Sequence, residues 1–250
     1  MQSFENEDEL YGAVLRAFEQ IRVSLEKWPG VNLVIESELS YSEKARGSRT
    51  LYLLGESHGS RKPIDHIHER IVPKIKKNPE NWLLLREGYK FSEYVNVFPP
   101  ALYFQGITKL FNIPYEIALA DLLSLDTREY IRKREEISDE DIDREILAYF
   151  LETETFMGTG SIEIPRSVKD LPKEVNASWI VRSMSEYLKK PWEYVWELLR
   201  TMHEHPNRSE EVLRSWNEFS KERFNKLIEL YPDRSDILIS VGDAHSPVFE

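Results

Sequence analysis

Two histidines in this chain follow apolar runs at the same spacing. In LYLLGESH (Leu51 to His58) and ILISVGDAH (Ile237 to His245) a mostly apolar run reaches a glycine, and a histidine stands three residues after it. A third run, Trp82 to Leu85, ends in Arg86, Glu87 and Gly88. Two imidazoles and a carboxylate, with Glu56 and Asp243 inside the two histidine motifs, suit a borderline divalent metal such as Zn, Mn, Fe or Co. The expected metal ligands are His58, Glu87 and His245. The same groups suit a metal-free general base, because a neutral imidazole oriented by a carboxylate takes a proton from water near neutral pH.

The elements that must position these groups are strands. Each short apolar run reads as a buried strand, and the glycine at its end lets the backbone turn sharply. The three polar groups then stand at carboxyl ends of strands, where open α/β sheets place ligands and chemistry. Strand ends on one edge would bring His58, Glu87 and His245 together from opposite ends of the chain.

Around these runs, Glu9 to Lys27 reads as an amphipathic helix stopped by Pro29-Gly30. Val31 to Glu38 and Thr50 to Leu54 read as strands joined by the polar stretch Ser42 to Arg49, a hairpin. Pro63 opens a helix carrying Ile67, Ile71 and Ile75 to the break at Asn78-Pro79, and the strand at 82–86 follows. A helix over Pro100 to Leu110 leads to a strand over Pro114 to Leu119. From Asp126 to Tyr231 the pattern is almost wholly helical, and the sheet pattern resumes at Asp236. The predicted fold is α/β, with a mixed central sheet flanked by helices and a large helical insertion before the last strand. Residues 1–125 and 232–250 would form the core. Residues 126–231 would form an insertion or cap, either enclosing a substrate over the strand ends or simply covering the sheet.

Composition narrows the function. The 250 residues can bury a full core, and a formal charge of -11, from 33 basic and 44 acidic residues, argues against a broad phosphate-backbone contact and makes nucleic acid a poor candidate. With no cysteine, thiolate catalysis, disulfides and cysteine-ligated zinc are excluded. The polar, acidic start Met1 to Asp8 has no export signal, and no apolar stretch approaches the roughly 20 residues that span a bilayer. These features predict a cytoplasmic protein without a membrane span; nothing in them specifies an oligomeric state.

Other residues carry weaker expectations. Asp65, His66 and His68 lie close to the first motif and could add a ligand, although histidines at a helix start are usually solvated. His203 and His205 precede Pro206 at a helix end, where histidine meets the helix dipole favourably. Trp179, Tyr187, Trp192, Tyr194 and Trp196 read as packing between helices. The acidic run from Ser138 to Glu145 reads as a helix start. Ser57, in Gly55-Glu56-Ser57-His58-Gly59, fits the G-x-S-x-G elbow of serine hydrolases, with His245 and Asp121 or Glu87 as partners. Against that mechanism, the second motif has Ala244 at the matching place, so the histidine is what the motifs share.

GESHGS, LLLREG and VGDAHSP resemble the paired G-x-x-H motifs and intervening glutamate of the TraB/TIKI superfamily, which includes the erythromycin-esterase-like and ChaN-like proteins. Arg61 to His68 is similar to the histidine-bearing segment after the first motif of ChaN-like members, and Glu222-Arg223 resembles the Glu-Arg pair that precedes the second motif in TraB-type proteins. Ala120-Asp121 and Arg128 resemble the family's Asp and Thr-x-x-Arg region, with Thr127-Arg128 departing from its spacing. The lack of a membrane anchor or export signal also departs from the TIKI, TraB and ChaN types. The resemblance implies an α/β fold with a site at strand ends and several activities: metal-dependent proteolysis, ester hydrolysis with a histidine base, restraint of peptide pheromone signalling, or haem binding. The resulting expectation is a hydrolase of a small-molecule ester or a peptide. Water would be activated by His58 and His245 with Glu56 or Glu87, a divalent metal (Mn, Co, Zn or Fe) as cofactor, and Arg223 stabilising the oxyanion. The competing expectations are a metal-independent histidine-base esterase and a non-catalytic protein that sequesters a peptide or haem.

Overall fold

The three apolar runs become neighbouring strands. In the computed structural model, which describes residues 4–25, 39–56, 61–87, 99–153 and 177–249, they are β2 (Arg49–Glu56), β3 (Trp82–Arg86) and β5 (Asp236–Gly242). β1 (Ser40–Arg46) and β4 (Tyr115–Ile117) complete a five-stranded sheet of order β1-β2-β5-β3-β4. β5 runs parallel to β2 and β3 with Ile237 opposite both Leu51 and Leu83, β3 is parallel to β4, and β1 is antiparallel to β2. A strand paired on both edges and covered on both faces is mostly apolar, and residues 237–242 of β5 are all buried, Ser240 being the polar exception.

Alternation along the strands divides the core in two. Leu51, Leu53, Leu83, Leu85, Ile237, Ile239 and Val241 pack on one face; Tyr52, Leu54, Trp82, Leu84 and Leu238 pack on the other. The second face is covered by α1 (Glu7–Leu25), by α2 (Lys62–His66), a π-helical turn (Ile67–Ile71) and α3 (Val72–Ile75), and by α4 (Pro99–Phe111). The first face is covered by α5 (Leu125–Glu135), α6 (Asp139–Thr153), α7 (Ala177–Leu188), α8 (Trp192–Thr201) and α9 (Ser209–Glu229). The architecture is therefore the expected α/β one, and the helical segment between β4 and β5 forms one of its layers. No helix among the described residues is long and apolar enough to cross a membrane.

Several local features depart from expectation. The polar stretch Ser42–Arg49, read as a connector, supplies most of β1, which pairs with β2 from Ser40 opposite Gly55 to Arg46 opposite Arg49. β1 is an edge strand with no fully buried residue, so it lacks the apolar alternation that marks a strand in sequence. Its turn uses Gly47 at φ +62, a conformation other residues rarely adopt. The strand expected at Val31–Glu38 lies outside the described residues. Helix α2 opens at Pro63 as expected and Ile67, Ile71 and Ile75 are buried, but the helix widens into the π turn just before Pro73, which has no N–H for the Glu69 carbonyl. In α8 the buried stripe is Val195, Leu198 and Leu199, which turns Trp192 and Trp196 outward instead of into the helix packing expected for them. Tyr187 is buried. Ser138 caps α6 reciprocally with Asp141: Asp141 N donates to Ser138 Oγ (3.1 Å), and Ser138 N donates to Asp141 Oδ2 (3.2 Å). The acidic run is a helix start.

Candidate active site

The chain connections diverge at the carboxyl end of β5. The helices that follow its neighbours β2 and β3 lie on the face covered by α1 to α4, whereas the 3-10 turn Asp243–Val248 that follows β5 sends Val248 and Phe249 into the core shared with α9. A parallel sheet opens a crevice at such a point, beyond the carboxyl ends of its strands.

Glu87 and His245 meet there. Glu87 N donates to Ser240 O (2.9 Å), which holds the residue one step beyond the β3 ladder. Its side chain is 2% exposed, and Oε2 accepts a hydrogen bond of 2.6 Å from Gly242 N, the residue where β5 ends. His245 is 0% exposed in the 3-10 turn; its Nδ1 contacts Asn217 Oδ1 at 2.8 Å, and the Trp216 ring meets it edge-on at 4.4 Å. His245 Nε2 stands 3.8 Å from Glu87 Oε1. That separation exceeds a hydrogen bond, and it is one that two ligands of a single ion can span with bonds of about 2.0–2.2 Å each.

The remaining predicted residues divide. Glu56 ends β2 with its Cα opposite Gly242, so its backbone shares this edge. The side chains of Glu56 and Asp243, together with Ser57 and His58, lie outside the described residues. Among the described residues no group of three His, Asp or Glu side chains is placed to hold a metal ion; Glu87 and His245 are two of the expected three ligands. Arg223, expected as the oxyanion donor, is exposed on α9. Six residues along a helix amount to about 120° around its axis from Asn217, so α9 does not present both side chains to one place.

What α9 brings to His245 is Asn217 and Trp216, which were not among the expected residues. Trp216 Nε1 also donates to Ala120 O (2.7 Å), and Ser220 Oγ accepts from Ala120 N (3.1 Å). The helix thus ties the chain beyond β4 to the turn beyond β5. A sequence-level sign does exist, since Asn217 sits beside a buried stripe of Val212, Ser215, Trp216, Ser220, Phe224 and Ile228 that is unusually rich in hydrogen-bonding groups.

The minor candidates have structural roles. Asp65 accepts hydrogen bonds from Tyr11 Oη (2.7 Å) and Arg61 Nε (2.9 Å), and burial together with Asp65 pushes the Tyr11 phenol up to about 12. Tyr11 stacks on His68 with ring centroids 4.0 Å apart, and His68 Nδ1 is 2.9 Å from Tyr103 Oη. His66 lies against Tyr41 at 4.1 Å, and burial lowers its pKa. This cluster joins α1, α2, the π turn and α4 on the sheet face opposite α9. Asp121 Oδ1 closes a turn by accepting from Leu123 N (3.0 Å).

Arg128 belongs to the helical layer. Its Nη1 is 2.7 Å from Oδ1 of Asp143, whose side chain is fully buried, and Tyr194 Oη donates to the other oxygen, Oδ2 (2.7 Å). Arg128→Met would leave that carboxylate with Tyr194 and the more distant Lys190 Nζ at 3.9 Å. Unfolding in urea should show a loss of about 3 kcal/mol, at the low end for breaking a buried pair because Tyr194 still donates. A loss under about 0.5 kcal/mol, the scale of an exposed pair, would contradict this structural assignment of Arg128.

No protein-family model, curated protein or solved structure matches the chain.

Proposed function

We propose that this protein is a cytoplasmic hydrolase that cleaves an ester or peptide bond with water as nucleophile, in the manner of the TraB/TIKI-type proteins its motifs resemble. The observation that carries the reading is the meeting of Glu87 Oε1 and His245 Nε2 at 3.8 Å, both side chains buried, just beyond the carboxyl ends of β3 and β5. Burying a carboxylate costs several kcal/mol unless it is well partnered, and such groups in a crevice are candidates for acid-base or ligand roles.

The pair would hold a divalent ion together with His58, and Glu56 would supply a second carboxylate. Such an ion, when bound, would supply Lewis acidity and bring the pKa of water toward neutrality. The chain's own groups do the rest. Gly242 N–H holds Glu87 Oε2, which fixes Oε1 in place; Oε1 would be a ligand when an ion is bound, and where none is bound it takes the proton of the attacking water. As the new C–O bond forms and the bond to the leaving oxygen or nitrogen breaks, the same proton passes from Oε1 to the leaving atom. Glu87 is then ionised again. His245 orients the water from the opposite side, its ring fixed by Asn217 and Trp216.

Metal analysis of protein purified without an affinity tag tests this reading. About one equivalent of Mn, Fe, Co or Zn is expected, lost in His245→Ala, with turnover of a panel of esters and peptides abolished by chelator. Metal-free protein whose activity survives chelator would instead be the histidine-base esterase. Retained ligand without turnover would indicate the sequestering protein.

A further inference from the structure

We propose that His66 is an acid-sensitive contact: its neutral ring holds the helical segment α2–α3 on the edge strand β1, and a proton on that ring loosens the seam. The imidazole lies against the Tyr41 ring of β1 with centroids 4.1 Å apart, and its Nε2 is buried with no hydrogen-bond partner among the described residues. A neutral imidazole tolerates this, because one of its nitrogens carries only a lone pair. The charged ring has an N–H on both nitrogens, so Nε2–H would be buried without an acceptor. His68, two residues along, is placed differently. Its Nδ1 is 2.9 Å from Tyr103 Oη and its Nε2 is 3.3 Å from Asp8 Oδ1.

The charges around the ring oppose its protonation on balance. Arg70 from the π turn and Lys74 from α3 disfavour it, whereas Glu69 from the π turn and Glu43 from β1 favour it. Glu43 is already engaged, since its Oε1 accepts from Tyr41 Oη (2.6 Å) and from Lys74 Nζ (2.7 Å). Tyr41 stays neutral, its phenol pushed up by burial and by Glu43. Burial first, and Arg70 next, hold the His66 pKa below that of a free histidine. The contribution to stability is therefore complete above the free histidine's pKa and is lost as pH falls toward the lower folded value. The seam lies near the edge of the candidate site: Tyr41 is opposite Leu54, and Ser40 is opposite Gly55, where the GESH motif begins. Loosening β1 there frees the end of β2 from its outer neighbour.

This contact goes beyond the proposed function and is tested on the full chain without turnover. His66→Phe keeps an aromatic ring against Tyr41 and removes the titration. Between about pH 8 and about pH 5, a span that covers the ordinary histidine range, the unfolding constant in urea should rise about tenfold more in the wild type than in His66→Phe. That is the scale of a buried N–H left without an acceptor. Amide hydrogen exchange, corrected for its intrinsic pH dependence, should show β1 losing protection over the same span in the wild type and keeping it in His66→Phe. In the protein labelled with 15N-histidine, the resonances missing from His66→Phe should titrate below a free histidine. An equal rise of the unfolding constant in both proteins would overturn the proposal. So would unchanged β1 protection in the wild type, or a His66 that titrates like a free histidine or above it. If His66→Phe fails to fold, His66→Gln takes its place, and β1 protection in the wild type decides in either case.

Discussion

His58→Ala and His245→Ala should each lower kcat/KM by at least about a thousandfold, and the double variant should be little worse than either single one. In the proposed mechanism the two imidazoles act on one water, so removing either would dismantle the same unit and the losses would not add. A histidine at a strand end would ordinarily contribute little burial, but His245 is 0% exposed and its ring lies against Trp216. His245→Ala should therefore also cost about 2–3 kcal/mol of stability, from the cavity and from the lost hydrogen bond to Asn217. Activity is best measured well below the melting temperature, with circular dichroism to verify folding. The exposed His205 supplies the control, since His205→Ala should change neither rate nor stability. Either site variant retaining more than a tenth of the wild-type rate would remove that histidine from the mechanism.

How much of this was legible in the sequence follows from burial. β2, β3 and β5 lie inside the sheet, and strands covered on both faces must be apolar at nearly every position, so their ends can be located residue by residue. That is why Glu87 and His245 could be placed at a common edge. β1 could not be read, because an edge strand buries little and its residues are mostly polar. The insertion of β5 between β2 and β3 has no local signature either, since it pairs segments far apart in the chain. On α9 the buried stripe was detectable as a period, but the rotation that brings Asn217 to His245 and leaves Arg223 exposed is set by two bonds to Ala120, far away in sequence. Side-chain hydrogen bonds between distant elements leave no periodicity to read.

Glu87 offers the sharpest separation of chemistry from architecture. Its Oε2 satisfies the buried Gly242 N–H, and its Oε1 stands by His245. Glu87→Gln keeps a carbonyl oxygen for Gly242 and nearly the same volume while removing the charge and the basicity. Its stability should stay within about 1 kcal/mol of wild type, while kcat/KM should fall about a thousandfold, the scale of losing a general base. Glu87→Ala should lose as much rate and, in addition, about 3 kcal/mol of stability, from the unpaired Gly242 N–H and the space left beside His245. Urea unfolding and steady-state kinetics on the two variants distinguish the roles. If Glu87→Gln retained more than a tenth of the activity while Glu87→Ala unfolded, Glu87 would be a bracket for the end of β5, and the proton would have to be taken by another group at this edge, with Glu56 the first to test.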